Sequence, residues 1–245
     1  MGIYNSKGVR SINNKNVLVT GADKGLGLAL TEKYLVEGCK VFACLYQEPS
    51  TTIMNLKEIY TKQLIFTRMD VASDQSVEIA KQELKDETID ILINNAGVHF
   101  ENSYLPLEQV DFSVALQTLN INSLGPLRVI KAFLPNVEKG TTKVIANISS
   151  EAGSISDNFR DREFDYCMSK TAINMASVIL QKYVKPKGIK VLAIHPGWMT
   201  TDMGGQNADI DATIAAESIM RLIDKYKKDI DGPLYMDYEG NKLNW

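Results

Sequence analysis

Cysteine, histidine and tryptophan are all scarce in this chain. The three cysteines, Cys39, Cys44 and Cys167, are odd in number and lack metal-ligand spacing. That argues against a disulfide framework and against a structural metal site, and makes a reduced, cytoplasmic protein the expectation. Cys39 and Cys44 read as packed thiols rather than a redox pair. No second metal-type ligand lies near His99, which is assigned no role. No apolar run reaches the ~18 residues that a membrane-spanning helix needs. Residues 1–16 are polar, which excludes a secretory signal there. Neither sign of charge dominates: 27 basic and 30 acidic residues leave a net charge of -3. A nucleic-acid surface and a polybasic membrane patch are therefore not expected. Composition breaks, internal repeats and low-complexity tracts are also missing. We expect a flexible leader over residues 1–15 and one domain over residues 16–245. Met1-Gly2-Ile3-Tyr4-Asn5-Ser6 fits the loose myristoylation pattern, and the sequence leaves open whether Gly2 is lipidated or only part of that leader.

What is present is a steady alternation. Short apolar strands are read at 16–20, 40–45, 64–69, 89–93, 142–148, 188–194 and 233–236. Between them lie stretches of helical periodicity at 28–38, 51–60, 73–86, 106–119, 120–137, 166–184 and 212–226. Strands separated by helices predict an α/β fold, a single-domain, doubly wound parallel sheet of the Rossmann type. About seven strands would carry helices on both faces.

Chemistry-bearing residues fall at the ends of these strands. After the first comes Thr20-Gly21-Ala22-Asp23-Lys24-Gly25-Leu26-Gly27. Glycines let a backbone approach a pyrophosphate, and a helix N-terminus offers free N–H groups with a positive dipole end. Many dinucleotide folds place an acidic residue about 20 residues further on to hold the ribose 2′-hydroxyl of NAD. Here Leu45 and Tyr46 occupy those positions. A missing carboxylate, with Lys24 in the turn to meet a 2′-phosphate, leans toward NADP(H) over NAD(H). Asp70, followed by Val71, stands past the third strand. It either accepts a hydrogen bond from an adenine amine or caps the next helix, which Ser73 or Asp74 could also do. Asn94-Asn95-Ala96-Gly97 ends the fourth strand, where small residues suit close approach by a ligand. Asn120 and Asn122 could each hold a water or sit opposite a distorted backbone turn. Ser149 and Ser150 end the fifth strand. Tyr166 and Lys170 are four apart on one helix and so share a face. A lysine charge there should lower the phenol pKa from ~10, suiting it to exchange a proton with a carbonyl or alcohol oxygen. Pro196, Gly197, Trp198 and Thr201 follow the sixth strand, ahead of a bend at Gly204-Gly205.

This ordered set resembles the short-chain dehydrogenase/reductase family in its classical form. The resemblance runs from about Asn16 to the end. The segment 195–205 and the closing Trp245 resemble the sniffer/C-factor group of carbonyl reductases. The resemblance implies an NADP(H)-dependent oxidoreductase moving hydride between a nicotinamide and a carbonyl or alcohol. Gly21, Gly25, Leu26 and Gly27 would border the pyrophosphate, with Lys24 at the 2′-phosphate. Asp70 and Val71 would hold adenine, and Asn94, Ala96 and Gly97 the ribose and central cofactor. Asn122, which fits the family order better than Asn120, would anchor a relay water. Ser150, a better fit than Ser149, would orient the substrate carbonyl. Tyr166 would donate the proton, and Lys170 would bind the nicotinamide ribose. Pro196, Gly197 and Thr201 would cover the nicotinamide, and Trp198 would wall the substrate. No metal is implied. A small-molecule substrate is the expected partner, with a homodimer or homotetramer packed through the 120–137 and 166–184 helices. The alternative is a C-factor-like signalling protein that binds dinucleotide without physiologically important turnover. Two departures stand out: the Ser150-to-Tyr166 interval is longer than the family's commonest spacing, and Tyr46 stands where NADP-using relatives often carry arginine.

Overall fold

Strand residues alternate between two separate cores. Val17, Val19, Val41, Ala43, Ile91, Ile93, Ala146 and Ile194 join one buried cluster. Their neighbours Leu18, Phe42, Leu92, Ile145 and Val191 join the other. Successive side chains of a strand face opposite ways, so a sheet apolar at every position must be covered on both sides. The computed structural model describes residues 14–201, 209–232 and 234–245. The expected leader, Gly2 and the Gly204-Gly205 bend lie wholly or largely outside them.

Seven strands form one parallel sheet: β1 (Asn16–Thr20), β2 (Lys40–Leu45), β3 (Leu64–Arg68), β4 (Ile91–Asn94), β5 (Val144–Ile148), β6 (Lys190–His195) and β7 (Tyr235–Asp237). Their order is β3-β2-β1-β4-β5-β6-β7. The chain moves outward in one direction from β1, then returns to start β4 on its other side. That reversal opens a crevice beyond the carboxyl ends of β1 and β4, where open α/β sheets bind ligands.

The helices are α1 (Gly25–Val36), α2 (Thr51–Ile59), α3 (Asp74–Glu83), α4 (Phe112–Leu119), α5 (Gly125–Glu138), α6 (Phe164–Val184) and α7 (Ala212–Tyr226). Leu30 and Tyr34 of α1, Ile53 of α2 and Ile219 of α7 cover one face. Val77 of α3, Phe133 of α5 and Leu180 of α6 cover the other. Ser50, Ser73, Asp111 and Asp211 cap α2, α3, α4 and α7 through their side-chain oxygens. Each such cap stabilises its helix by about 1 kcal/mol.

Helix starts differ from the sequence reading. Helix α1 begins at Gly25 rather than Leu28, inside the glycine turn, because a glycine-rich first turn carries no apolar period. Helix α4 begins at Phe112 rather than Pro106, since Asp111 supplies the cap and residues 101–104 and 107–109 form separate 3-10 turns. Asn120–Leu124 is a π-turn between α4 and α5, closed by a hydrogen bond from Gly125 N–H to the Asn120 carbonyl. Of the two readings of these asparagines, a held water or a place opposite a distorted turn, the structure contains the turn, with both residues inside it. Among the described residues, no helix is long and apolar enough to cross a membrane.

Candidate functional site

The glycine turn is locked from behind. Asn95 Nδ2 donates to the carbonyls of Thr20 and Gly21, at 3.0 and 3.1 Å. The Thr20 hydroxyl accepts from the N–H groups of Asn95 and Ala96. Gly21 has φ of 62°, and a Cβ there would lie 2.9 Å from Ala96 Cα. The N-terminus of α1 is thereby aimed into the crevice, with Lys24 exposed at its cap position. Leu26 is buried, so its side chain belongs to the core and not to the crevice. Gly25 lies under Thr201, whose Cγ2 would stand 3.4 Å from a Cβ at that glycine.

Sequence reasoning missed Asp23. Its carboxylate accepts from the N–H groups of Tyr46 and Gln47, both at 3.0 Å. Residues 45 and 46 carry no carboxylate, yet one reaches the end of β2 from the glycine turn. Beside it, Tyr46, Gln47, Glu48, Arg68 and Asp70 line a cleft that Ser76 and Ile79 complete. Asp70 does not cap α3; Ser73 does. One Asp70 oxygen accepts from Ala72 N–H at 2.9 Å, a local turn that holds the residue at the cleft. Val71 is buried, and its carbonyl accepts from Arg128 at 2.6 Å.

Beyond β4 the side chains divide between framework and site. Asn94 is buried and donates to Asn147 Oδ1 at 2.8 Å, and Asn147 donates to Ser177 at 2.8 Å. Asn94 thus joins β4, β5 and α6 through its side chain. Gly97 keeps a gap open: a Cβ there would lie 3.2 Å from Asn122 Oδ1 and 3.9 Å from Lys170 Nζ. Asn122, in the π-turn, exchanges hydrogen bonds with both backbone groups of Val98, each 2.8 Å. It also donates to Ser169 of α6 at 3.0 Å. Asn120 instead donates to Ala72 O and accepts from Arg128, which separates the two asparagines. The serines separate equally: Ser149 donates to Asn174 at 2.6 Å, whereas the Ser150 hydroxyl accepts from Ala152 N–H at 3.2 Å and lies beside the Tyr166 phenol. The Ser150 carbonyl accepts from Tyr235 OH at 2.6 Å, and Tyr235 stacks on Trp245.

Lys170 is buried, donates to the Ile148 carbonyl at 3.1 Å, and stands 5.6 Å from the Tyr166 ring centre. The expected lowering of the phenol pKa is not what this arrangement produces. Burial pushes Tyr166 up to about 12, opposed by the Ser150 hydrogen bond. Desolvation of the charged form outweighs the neighbours that favour it. The same burial lowers Lys170 to about 8, so its charge is present below that pH and lost above it. At neutral pH the phenol is protonated, the state in which it can give a proton to a carbonyl oxygen.

Past β6, Gly197 adopts φ of 85°, and a Cβ there would lie 2.5 Å from Ile210 Cδ1. Pro196 is buried, and Trp198 is exposed, with its carbonyl accepting from the N–H groups of Asp209 and Ile210. The 196–201 segment thereby folds against residues 209–210 above the crevice. His99, given no role from sequence, stacks on Tyr166 with ring centres 4.1 Å apart. Nothing local to its sequence could have signalled a contact 67 residues away.

Similarity to known proteins agrees with this architecture. C-signal of Myxococcus xanthus is 37% identical over 157 residues, 64% of this chain and 93% of that protein. The structure of an NADPH-bound carbonyl reductase from chicken fatty liver is 27% identical with a TM-score of 0.85, covering 95% of this chain and 100% of that one. The carbonyl reductase Sniffer of D. melanogaster is 26% identical with a TM-score of 0.88, at the same coverage. The short chain dehydrogenase family profile matches residues 15–211. That span takes in the glycine turn, the crevice and the Tyr166–Lys170 helix together, and the chain belongs to the short-chain dehydrogenase family.

Proposed function

We propose that the protein is an NADP(H)-dependent carbonyl reductase of this family, formed by residues 16–245 and working in the cytoplasm. The observation that carries the reading is the grouping of the Tyr166 phenol and the Ser150 side chain with buried Lys170, whose Nζ stands 5.6 Å from the Tyr166 ring centre, at the mouth of the crevice. The glycine turn suits a dinucleotide because side chains at Gly21 and Gly27 would close it. Gly21, Gly25 and Gly27 border the pyrophosphate, with the Leu26 backbone beside them. Asp70 and Val71 flank the adenine. Asn94, Ala96 and Gly97 form the floor, Asn94 through its backbone. Lys170 holds the nicotinamide ribose under Pro196, Gly197 and Thr201. A nicotinamide bound there supplies the hydride. Tyr166 gives its proton to the substrate oxygen while Ser150 orients that oxygen, and Asn122 secures the loop beneath. Trp198 walls the substrate side.

Two observations favour second readings. Similarity to C-signal supports a dinucleotide-binding signalling role without important turnover. A biological effect retained by an inactive Lys170→Ala protein would favour it. The Asp23 carboxylate at the end of β2 favours NAD(H), because it repels a 2′-phosphate. Fluorescence titration with NADPH and NADH decides the cofactor. We expect tighter NADPH binding, weakened about tenfold in Lys24→Ala and strengthened in Asp23→Asn, as one charge near a phosphate is worth ~1–2 kcal/mol. Equal NADH and NADPH affinity in the unsubstituted protein would overturn the NADP assignment.

The reading includes a homodimer or homotetramer. Met168, Met175, Ile179 and Tyr183 lie exposed on α6, at spacings that bring them to one stripe. We expect light scattering to return at least twice the chain mass, and a monomer would reject this interface.

A further inference from the structure

The long interval between Ser150 and Tyr166 holds two charged residues that point inward rather than to solvent. Arg160 Nη2 donates to Glu151 Oε1 at 2.6 Å, and its Nε donates to Glu163 Oε2 at 3.0 Å. The Arg160 and Glu163 side chains are each only 16% exposed, so this is a built network rather than a solvated pair. Glu163 Oε1 lies 3.1 Å from His99 Nε2. That nitrogen has no aligned hydrogen-bond partner, so Glu163 is a close neighbour of the neutral imidazole and forms an ion pair with it only when His99 is protonated. His99 in turn stacks on the Tyr166 ring, 4.1 Å centre to centre and 19° from parallel. Its other side faces Tyr104 at 4.9 Å. Glu163 holds this place from a left-handed conformation, with φ of 60°, which a non-glycine residue adopts only where its surroundings over-determine it. Its N–H donates to Ser103 O at 2.9 Å.

We propose that His99 is a positioning residue for the Tyr166 phenol, and that the chain Glu151–Arg160–Glu163–His99 couples the 154–163 loop to that phenol. The inference rests on Tyr166 being the proton donor. A phenol stacked on one face by His99, with the Ser150 side chain beside its hydroxyl, has little freedom left to swing. Misplacement by an ångström is enough to cost a reacting group much of its rate. The length of the loop then has a physical reason, because the loop supplies the two inner charges that hold the imidazole.

The imidazole also makes the arrangement sensitive to acid. Asp165 and Lys170 of α6, Arg160 and Glu163 of the loop, and the phenols of Tyr104 and Tyr166 are the titratable and charged groups around it. Burial lowers the His99 pKa most, Arg160 and Lys170 lower it further, and Glu163 and Asp165 raise it. His99 is therefore neutral at pH 7. Protonation below its ordinary ~6.5 would draw it toward Glu163 and away from the ring.

The test compares His99→Phe, which keeps a stacked ring, with His99→Ala, which does not. Both are assayed with NADPH and para-nitrobenzaldehyde as the probe carbonyl. We expect kcat to fall about tenfold or more in the alanine variant, with KM for the probe and NADPH affinity within about twofold, and most of the kcat to return in the phenylalanine variant. The acid limb of the wild-type pH profile should vanish in His99→Phe. Equal loss in both variants, or loss in neither, overturns the proposal. A second measurement needs no turnover. The chain has two histidines, so NMR of labelled imidazoles gives two signals, and His99→Phe identifies one. Glu163→Gln removes a neighbour that raises the His99 pKa, so the His99 midpoint should move to lower pH; an unmoved midpoint breaks the link to the loop. Retained turnover in Tyr166→Phe would fail the proposed function itself. An inactive Tyr166→Phe beside a fully active His99→Ala would fail only the positioning role.

Discussion

Tyr166→Phe is expected to reduce carbonyl turnover by about 10²–10⁴-fold, the usual contribution of a positioned general acid. In free energy that is about 3–5 kcal/mol of barrier. Phenylalanine keeps the ring, and so keeps the stack on His99 and the contact with Lys170. What it removes is the hydroxyl beside the Ser150 side chain. The loss should therefore fall on kcat, with NADPH binding unchanged in a fluorescence titration. A mutant that reduces the probe at the wild-type rate would take the proton from some other donor, and the assignment of Tyr166 would be wrong. The pH dependence has a definite sign. The phenol is pushed up to about 12, so the donor stays protonated across the working range. Any fall in reduction rate above about pH 8 belongs instead to Lys170 losing its charge.

Gly27→Ala is expected to damage both the fold and the cofactor site. A Cβ on Gly27 would lie 2.0 Å from the Gly21 carbonyl oxygen and 2.6 Å from Asn95 Nδ2. Neither can yield cheaply, since they bond each other at 3.1 Å and sit between β1 and α1. Overpacking costs about 1–3 kcal/mol, and breaking the Asn95 lock leaves buried polar groups unpaired at about 1–3 kcal/mol each. Together these predict roughly 3–6 kcal/mol, and a fall in Tm on the order of 10 °C for a domain of this size. NADPH affinity should drop by more than about 100-fold, because α1 would shift and carry its N-terminal N–H groups out of line. Gly38→Ala is the control. Unlike Gly27, it sits at positive φ, 78°, and no atom lies within 4 Å of its added Cβ. Only backbone strain of about 1–2 kcal/mol is expected there. A Tm loss in Gly27→Ala no larger than in Gly38→Ala would mean that the close approach at Gly27 is relieved at little cost, and would overturn this prediction.

The strands were legible because β1 and β2 are nearly unbroken runs of apolar residues ended by glycine or polar residues, which is how doubly covered parallel strands read. The helices were legible in their middles and not at their starts. Gly25 to Gly27 hides the first turn of α1, and the cap of α4 is a single aspartate, Asp111, after two 3-10 turns. Asn122, Ser150, Tyr166 and Lys170 could be picked out as a set because Ser150 follows a strand end, Tyr166 and Lys170 share one helix face, and Asn122 stands in the residue order that the family resemblance supplies. Their surroundings could not. The carboxylate at β2 comes from Asp23 in another segment. The phenol pKa is decided by burial, which no motif reports. The His99–Glu163 approach spans the length of two helices and a loop. Contacts made by the tertiary fold leave no periodic mark on the local sequence.

The π-turn at Asn120–Leu124 has a consequence for how this chain tolerates length changes. It holds one residue more than a regular helical path would, since its closing bond reaches five residues back rather than four. Each helical residue turns the chain by about 100°. Loss of any one residue here would let the segment relax into ordinary helix, but out of phase. Either Asn122 would rotate away from Val98, or Val129, Ile130, Phe133 and Val137 would rotate off the sheet. The wider turn is what lets the core stripe of α5 and the amide of Asn122 be aligned independently on one continuous rod. A single-residue deletion between α4 and α5 therefore forces a choice between the two alignments.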